Sequence, residues 1–230
     1  MLERRRTWYF VASGTRKGDF LNLLHIPYTA MVLGFVVSGA AISPRLDFGV
    51  LAAAVSAYFL GLGVGAHALD QLEPRGSRYV QKLTRPELKA MALAGLGGAI
   101  AIGFYCAFAV DLWLIVFVGA GTFFAVAYPL PSWIARGLFH NDLSFSFSWG
   151  FLPFITSYFA ESGALSHLSL LGGAVAALAA GVEIRLSRRA RAARKEGSTP
   201  DSYESLERKL RALVAITCLT AVALLGARFV

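Results

Sequence analysis

Apolar residues along this chain gather into seven runs, at 21–42, 48–69, 88–110, 112–130, 145–160, 168–184 and 210–229, and the charged residues fall mostly between them. A helix needs roughly 20 consecutive apolar residues to cross a bilayer. Most of the runs meet or approach that length, while those at 145–160 and 168–184 are shorter and depend on their flanks. The pattern predicts an all-α protein, a polytopic membrane helical bundle of about seven transmembrane helices. Several boundaries are marked by local chemistry. Ser43-Pro44-Arg45 is a turn, and Pro129 and Pro131 end the fourth run. Thr84-Arg85-Pro86-Glu87 is a capping box with proline in the first turn. Asp111 is a short link between the third and fourth runs, and Ser162-Gly163 separates the fifth from the sixth. Asp201-Ser202-Tyr203-Glu204 reads as a further cap, so the last helix starts before it enters lipid.

Composition agrees. The chain is 56% hydrophobic and 16% charged, with a mean hydropathy of +0.58, where a soluble domain carries about 25% charged residues. Twenty-three glycines, mostly inside the apolar runs, suit close helix packing in a membrane. A net charge of +8 raises nucleic-acid binding as a possibility. The charges lie in the gaps between apolar runs, however, where they orient spans and meet anionic lipid. Membrane lipids, not nucleic acid, are therefore the expected partner. Cys106 and Cys218 both lie in apolar runs, which argues against a disulfide framework.

The basic residues set an orientation. All of the 22 lysines and arginines except Arg45 and Arg228 fall on one side of the alternating gaps. They include Arg4, Arg5 and Arg6 near the start, Arg75, Arg78, Lys82 and Arg85 after the second run, Arg136 after the fourth, and the segment after the sixth. The positive-inside rule makes that side cytoplasmic. The expectation is a multi-pass protein of the cell membrane. A cytoplasmic N-terminal segment at 1–19 precedes one transmembrane domain at 20–230, which carries a basic cytoplasmic loop at 185–209.

Ionisable residues near a membrane interior are costly and become functional candidates. His67, Asp70 and Glu73 follow an i, i+3 spacing along one helical face at the inner end of the second run. Tyr128 ends the fourth run, His140-Asn141-Asp142 precedes the fifth, and Glu183 and Arg185 end the sixth. Two chemistries fit. Carboxylates can hold Mg²⁺ against a phosphate while arginines such as Arg185 and Arg188 clamp its other oxygens. Alternatively, His67, Asp70, His140 and Asp142 suit a transition metal. Structural readings compete with both: a helix-end pair for His67 and Asp70, a helix cap for 140–142, and a lipid-contact segment for the arginines. His25 with Pro27 reads as the start of the first helix, with a kink. No lysine lies within the seventh run, so a retinal Schiff base of the rhodopsin kind finds no support.

Three stretches resemble the UbiA superfamily of intramembrane prenyltransferases, in a short and divergent form. Gly61-Leu-Gly-Val-Gly-Ala-His-Ala-Leu-Asp-Gln-Leu stands where that family has Asn-Asp-x-x-Asp-x-x-x-Asp. Ala-Tyr128-Pro-Leu matches the end of the family's fourth helix, and Ser146-Phe-Ser-Trp-Gly-Phe-Leu-Pro-Phe-Ile-Thr-Ser-Tyr-Phe-Ala160 its fifth. The resemblance covers roughly residues 20–190. It implies an enzyme that holds a prenyl diphosphate and Mg²⁺ at the cytoplasmic end of a helical bundle and transfers the isoprenoid. Asp70 carries over directly. His67 replaces the first aspartate of the motif, and Pro74, next to Glu73, stands at the third. The second motif reads Val-Glu183-Ile-Arg-Leu-Ser-Arg-Arg, with one carboxylate and added arginines. On this reading Asp70, His67 and Tyr128 are catalytic, and Arg185 and Arg188 hold phosphate. The metal candidates are Asp70, His67, Glu73, His140, Asp142 and Glu183. The alternatives are a non-catalytic membrane subunit or lipid-binding module with the same fold, and a His/Asp metal-dependent membrane enzyme.

The orientation is directly testable. A reporter fused after Val230 is expected on the non-cytoplasmic side and one inserted at Gly197 on the cytoplasmic side. Two reporters on the same side would exclude seven crossings.

Overall fold

The computed structural model describes residues 15–73, 79–129, 138–197 and 199–230. Arg4, Arg5, Arg6, Pro74, Arg75, Arg78, Pro131 and Arg136, all used in the sequence reading, lie outside the described residues. Those described form helices and no strand. In chain order these are α1 (Arg16–Leu23), α2 (Ile26–Ala41), α3 (Phe48–Leu72), α4 (Arg85–Ala109), α5 (Leu114–Ala127), α6 (142–162), α7 (His167–Lys195) and α8 (Pro200–Gly226). A single 3₁₀ turn, Ala227–Phe229, extends α8. By length and composition, four helices can cross a membrane: α3, α4, α7 and α8. The pair α1 and α2, bent by 42°, makes a fifth if it is counted as one span.

Each of the seven apolar runs lies on a helix, but the helices are not equal. α5 has 14 residues, which at 1.5 Å per residue gives about 21 Å, short of a hydrocarbon core of about 30 Å. α6 is interrupted by a π-helical turn, Phe147–Phe151, and α3 by a longer one, Phe59–Ala66. The basic segment 185–209, expected as a loop, is mostly helical. α7 runs on to Lys195 and α8 begins at Pro200, because the alanines and arginines of 188–195 are strong helix formers.

The helix starts follow the local chemistry. Thr84 and Glu87 form the expected capping box of α4. Asn141 is the cap of α6, accepting from Ser144 N at 2.9 Å, and Ser166 caps α7 with Ser169. α8 differs from expectation. Asp201 lies in its first turn and Thr199 takes the cap position without a side-chain bond.

Packing is closest where glycines meet backbone. A side chain at Gly39 of α2 would collide with the Phe154 carbonyl of α6, and one at Gly150 of α6 with the Ala176 carbonyl of α7. These two crossings stack α2, α6 and α7 around a core of Met31, Phe35, Trp149, Leu152 and Ala180. Polar contacts gather at the two ends of the bundle. At one end Asp47 N donates to Glu161 Oε2 at 2.7 Å, and Arg228 donates to Ser43 O at 2.9 Å. At the other, Arg194 makes a two-point bridge to Glu207, at 2.7 and 2.8 Å, and lies 4.2 Å from the centre of the Tyr203 ring.

Gly39→Val should cost about 1–3 kcal/mol or more, because the collision is with backbone and no rotamer can relieve it. Gly97→Ala, where a methyl group meets nothing within 4 Å, serves as the control. Thermal unfolding in detergent checks both, and equal melting temperatures would refute the close crossing.

Candidate functional site

The basic end of the bundle begins at a strained residue. His25, between α1 and α2, has φ 44° and ψ 50°, a left-handed conformation that costs a non-glycine residue roughly 1–2 kcal/mol. The conformation produces the bend, and Thr29 Oγ1 secures it by donating to Leu24 O at 2.5 Å. It also turns the imidazole against α3. The His25 and His67 rings meet edge to face with centroids 4.5 Å apart, and the Tyr79 ring lies 4.7 Å from His25. His67 directly follows the π-helical turn of α3. Its Nδ1 lies 3.1 Å from Gly63 O. A carbonyl only accepts, so Nδ1 carries the proton and, in the neutral ring, Nε2 is left as an acceptor.

Asp70 is beside His67, as the spacing predicted, and its Oδ2 accepts from Gln71 Nε2 at 3.3 Å. Gln71 Oε1 in turn accepts from Tyr79 N at 3.0 Å. Glu73 stands at the extended residue that ends α3. Residues 81 and 82, ahead of α4, are held by Asp19, fully buried in α1, whose Oδ2 accepts from Gln81 N at 2.5 Å and from Lys82 N. The side chains of Val80 and Leu83 insert beside Leu23 and Leu88.

A second group faces the first. The His140 ring stacks on Tyr128 at 4.6 Å, and its Nδ1 lies 2.9 Å from Tyr128 O. Tyr128 packs on Trp149 and Phe145. Asp142, in the first turn of α6, receives both Arg185, at 3.2 Å, and Arg188. Arg188 also acts on the Tyr128 hydroxyl. Glu183 is 3% exposed, and the opposite charge acting on it is that of Arg191. One turn further along α7, Ser187 accepts from the Tyr28 hydroxyl at 3.1 Å. Arg191 exerts its field on Glu183, Tyr128 and His25, and so links the two groups.

From the middle of the bundle towards the opposite end, α3, α4, α5 and α6 border an open chamber, spanning from Leu62 and Ala125 to Val50, Cys106 and Leu114. Its walls are mainly small or apolar, including Ala54, Leu96, Gly103 and Phe117. Leu62 and Ala125 are at its inner end, each about a turn from His67 and Tyr128 respectively.

The structure thus brings together some of the predicted residues and separates others. His67 and Asp70 adjoin, and so do Tyr128, His140, Asp142, Arg185 and Arg188. The ring found against His67 from outside α3 is that of His25, and not His140, with which it was grouped as a metal candidate. Among the described residues no three His, Cys, Asp or Glu side chains assemble a metal site. Asp142 is engaged by two arginines and His140 by Tyr128. Sequence reading passed over Asp19, Gln71, Tyr79 and the role of His25. The bend at His25 and Pro27 was read from the sequence, but the contact of the His25 ring with His67 was not. Tyr79 and Asp19 carried no periodic or motif signal. No protein-family model, curated protein or solved structure matches the chain.

The Asp142 cluster is measurable by a double-mutant cycle. Asp142→Asn and Arg188→Gln should show a coupling of about 0.5–1 kcal/mol, the range for partly exposed pairs. Additive effects on unfolding would mean that the pair contributes nothing.

Proposed function

We propose that this chain is a UbiA-like integral membrane protein that draws the apolar part of an isoprenoid or other lipid into the chamber and holds its charged head at the basic end. The observation that carries this reading is an open pocket lined by small and apolar residues, whose inner end at Leu62 and Ala125 lies about a turn along α3 and α5 from His67 and Tyr128 of the polar cluster. Seven crossings and a cytoplasmic basic end belong to the same proposal, supported by the distribution of lysine and arginine.

The roles follow from position. Arg185 and Arg188 are held on Asp142, and a diphosphate, with its greater charge, competes with that single carboxylate for them. Tyr128 and His67 border the head from two sides, with Asp70 beside His67. For an isoprenoid diphosphate the reaction is transfer. The carbon–oxygen bond breaks with its electron pair leaving on the diphosphate, the freed carbon bonds to the acceptor, and the acceptor gives up a proton. Mg²⁺, or alternatively a transition metal, was expected among Asp70, His67, Glu73, His140, Asp142 and Glu183; among the described residues these side chains form two separate groups, with no three His, Cys, Asp or Glu side chains together.

A second reading has its own observation. Asp142 is committed to two arginines and His67 to His25 and Gly63. That arrangement fits a lipid-binding module as well as an enzyme.

Binding of a prenyl diphosphate to the protein in nanodiscs tests the shared claim. Ala125→Trp should fill the inner chamber and weaken binding about tenfold or more, and Arg185→Gln with Arg188→Gln should do the same through the head. Unchanged affinity in both would refute the reading. Binding without product when an aromatic acceptor is added would favour the module.

A further inference from the structure

The chamber wall carries hydroxyls where hydrocarbon alone would be expected. Tyr58, Thr122, Ser148 and Thr156 all line it. Each hydroxyl has one proton to give and two lone pairs to fill. Ser148 gives its proton to Ser144 O at 2.6 Å, and Thr156 to Leu152 O at 2.7 Å, the usual return of a helical hydroxyl to the preceding turn. Tyr58 gives its proton across the bundle to Thr156 Oγ1 at 2.9 Å. That chain of donation ends with the Tyr58 oxygen as an acceptor on the chamber wall.

Thr122 breaks the pattern. Thr217 of α8 returns its proton to Leu213 O at 2.9 Å, as Thr156 does within α6. Thr122, half-buried on α5, makes no hydrogen bond among the described residues and keeps a donor. An unbonded hydroxyl facing an apolar cavity is unfavourable, and valine would fill the same space without that cost. α5 packs on the π-helical turn that begins at the residue after Tyr58, so the acceptor and the donor belong to adjoining walls of one cavity. π-helical turns of this kind recur at functional sites.

We propose that the lipid held in this chamber carries a hydroxyl along its apolar chain, away from the charged head, which donates to Tyr58 and accepts from Thr122. A carbonyl or ether oxygen could use Thr122 alone, because neither has a proton for Tyr58. A hydroxyl has both the proton that Tyr58 accepts and the lone pair that Thr122 needs. The ligand class is therefore a hydroxylated long-chain or isoprenoid lipid. The inference rests on the reading that the chamber takes a lipid chain, and goes beyond it by specifying the chain's chemistry.

The test uses the full chain in nanodiscs, with stearate and a series of monohydroxystearates whose hydroxyl moves along the chain. The carboxylate head is constant, so the series isolates the hydroxyl. One position should bind more tightly than stearate, by about threefold to tenfold, because the added hydrogen bonds are made to half-buried groups. Tyr58→Phe and Thr122→Val should each remove most of that advantage and leave stearate affinity unchanged. Should Tyr58→Phe unfold the protein, Thr122→Val, which conserves shape, carries the test. Equal binding across the series, or an advantage that survives Thr122→Val, would overturn the hydroxyl and leave the lipid chamber standing. If no probe binds and Ala125→Trp has no effect on prenyl diphosphate, the chamber reading falls and this inference with it.

Discussion

A backbone amide in hydrocarbon has no water to bond, so a chain there must satisfy its own polar groups. That constraint favours helix wherever an apolar run enters a membrane, and each of the seven apolar runs of this sequence lies on a helix. It also sends the charged side chains to the two ends of the bundle. The exceptions then carry information. α3 and α6 both depart from regular geometry, at Phe59–Ala66 and Phe147–Phe151. Both departures adjoin the chamber, which Gly61, Leu62 and Ser148 help to line. Irregular backbone at this depth is tolerated where it borders a cavity or is covered by protein, and here the two irregular turns border the same cavity.

Small residues have two opposite effects in this bundle. Gly39 and Gly150 bring α2, α6 and α7 into backbone contact and leave no space between them. Ala53, Ala54, Ala57 and Ala99 line the chamber on α3 and α4. There the helices do not close onto one another, and short side chains leave a void. Composition alone does not separate these cases. A glycine-rich or alanine-rich stretch is compatible with a tight crossing or a cavity, and only the relative placement of the helices decides between them. The chamber, on which the functional reading depends, was therefore not legible in the sequence.

What could be read was local or periodic. The seven apolar runs, the Thr84–Glu87 box and the cap at 141 follow from patterns a few residues long, and the structure has a helix at each run. The adjacency of His67 and Asp70 follows from helical spacing. Contacts between distant segments were beyond reach. His25 and His67 meet because one residue adopts a left-handed conformation, and nothing in the spacing of the two histidines encodes that. The extent of α7 was missed for another reason. Hydropathy ends its run at 184, whereas helix propensity carries it to Lys195. Hydropathy reports the depth of lipid, and the backbone hydrogen bonds continue past it.

The extension of α7 explains how one basic segment serves three purposes. Steps of three residues turn a helix by about 300°, or about 60° backwards. Arg185, Arg188, Arg191 and Arg194 are spaced by three, and so sweep progressively across one half of the helix surface. Arg185 and Arg188 reach α6 at Asp142. Arg194 reaches α8 at Glu207, in a bridge whose acidic partner is 3% exposed. Arg191 falls between them, where its field acts on Glu183, Tyr128 and His25. The two outer contacts hold the end of α7 against its neighbours and thereby set the rotation of the helix. That rotation places the middle charge over the candidate site. A buried pair loses several kcal/mol when one partner is removed, so the Arg194–Glu207 bridge is the stronger of the two anchors. The half-exposed pairs at Asp142 are weaker and are the more readily exchanged. The segment is therefore firmly held on its α8 side and more readily exchanged on its α6 side, beside Tyr128 and His140, which is where the proposed function places the head of its ligand.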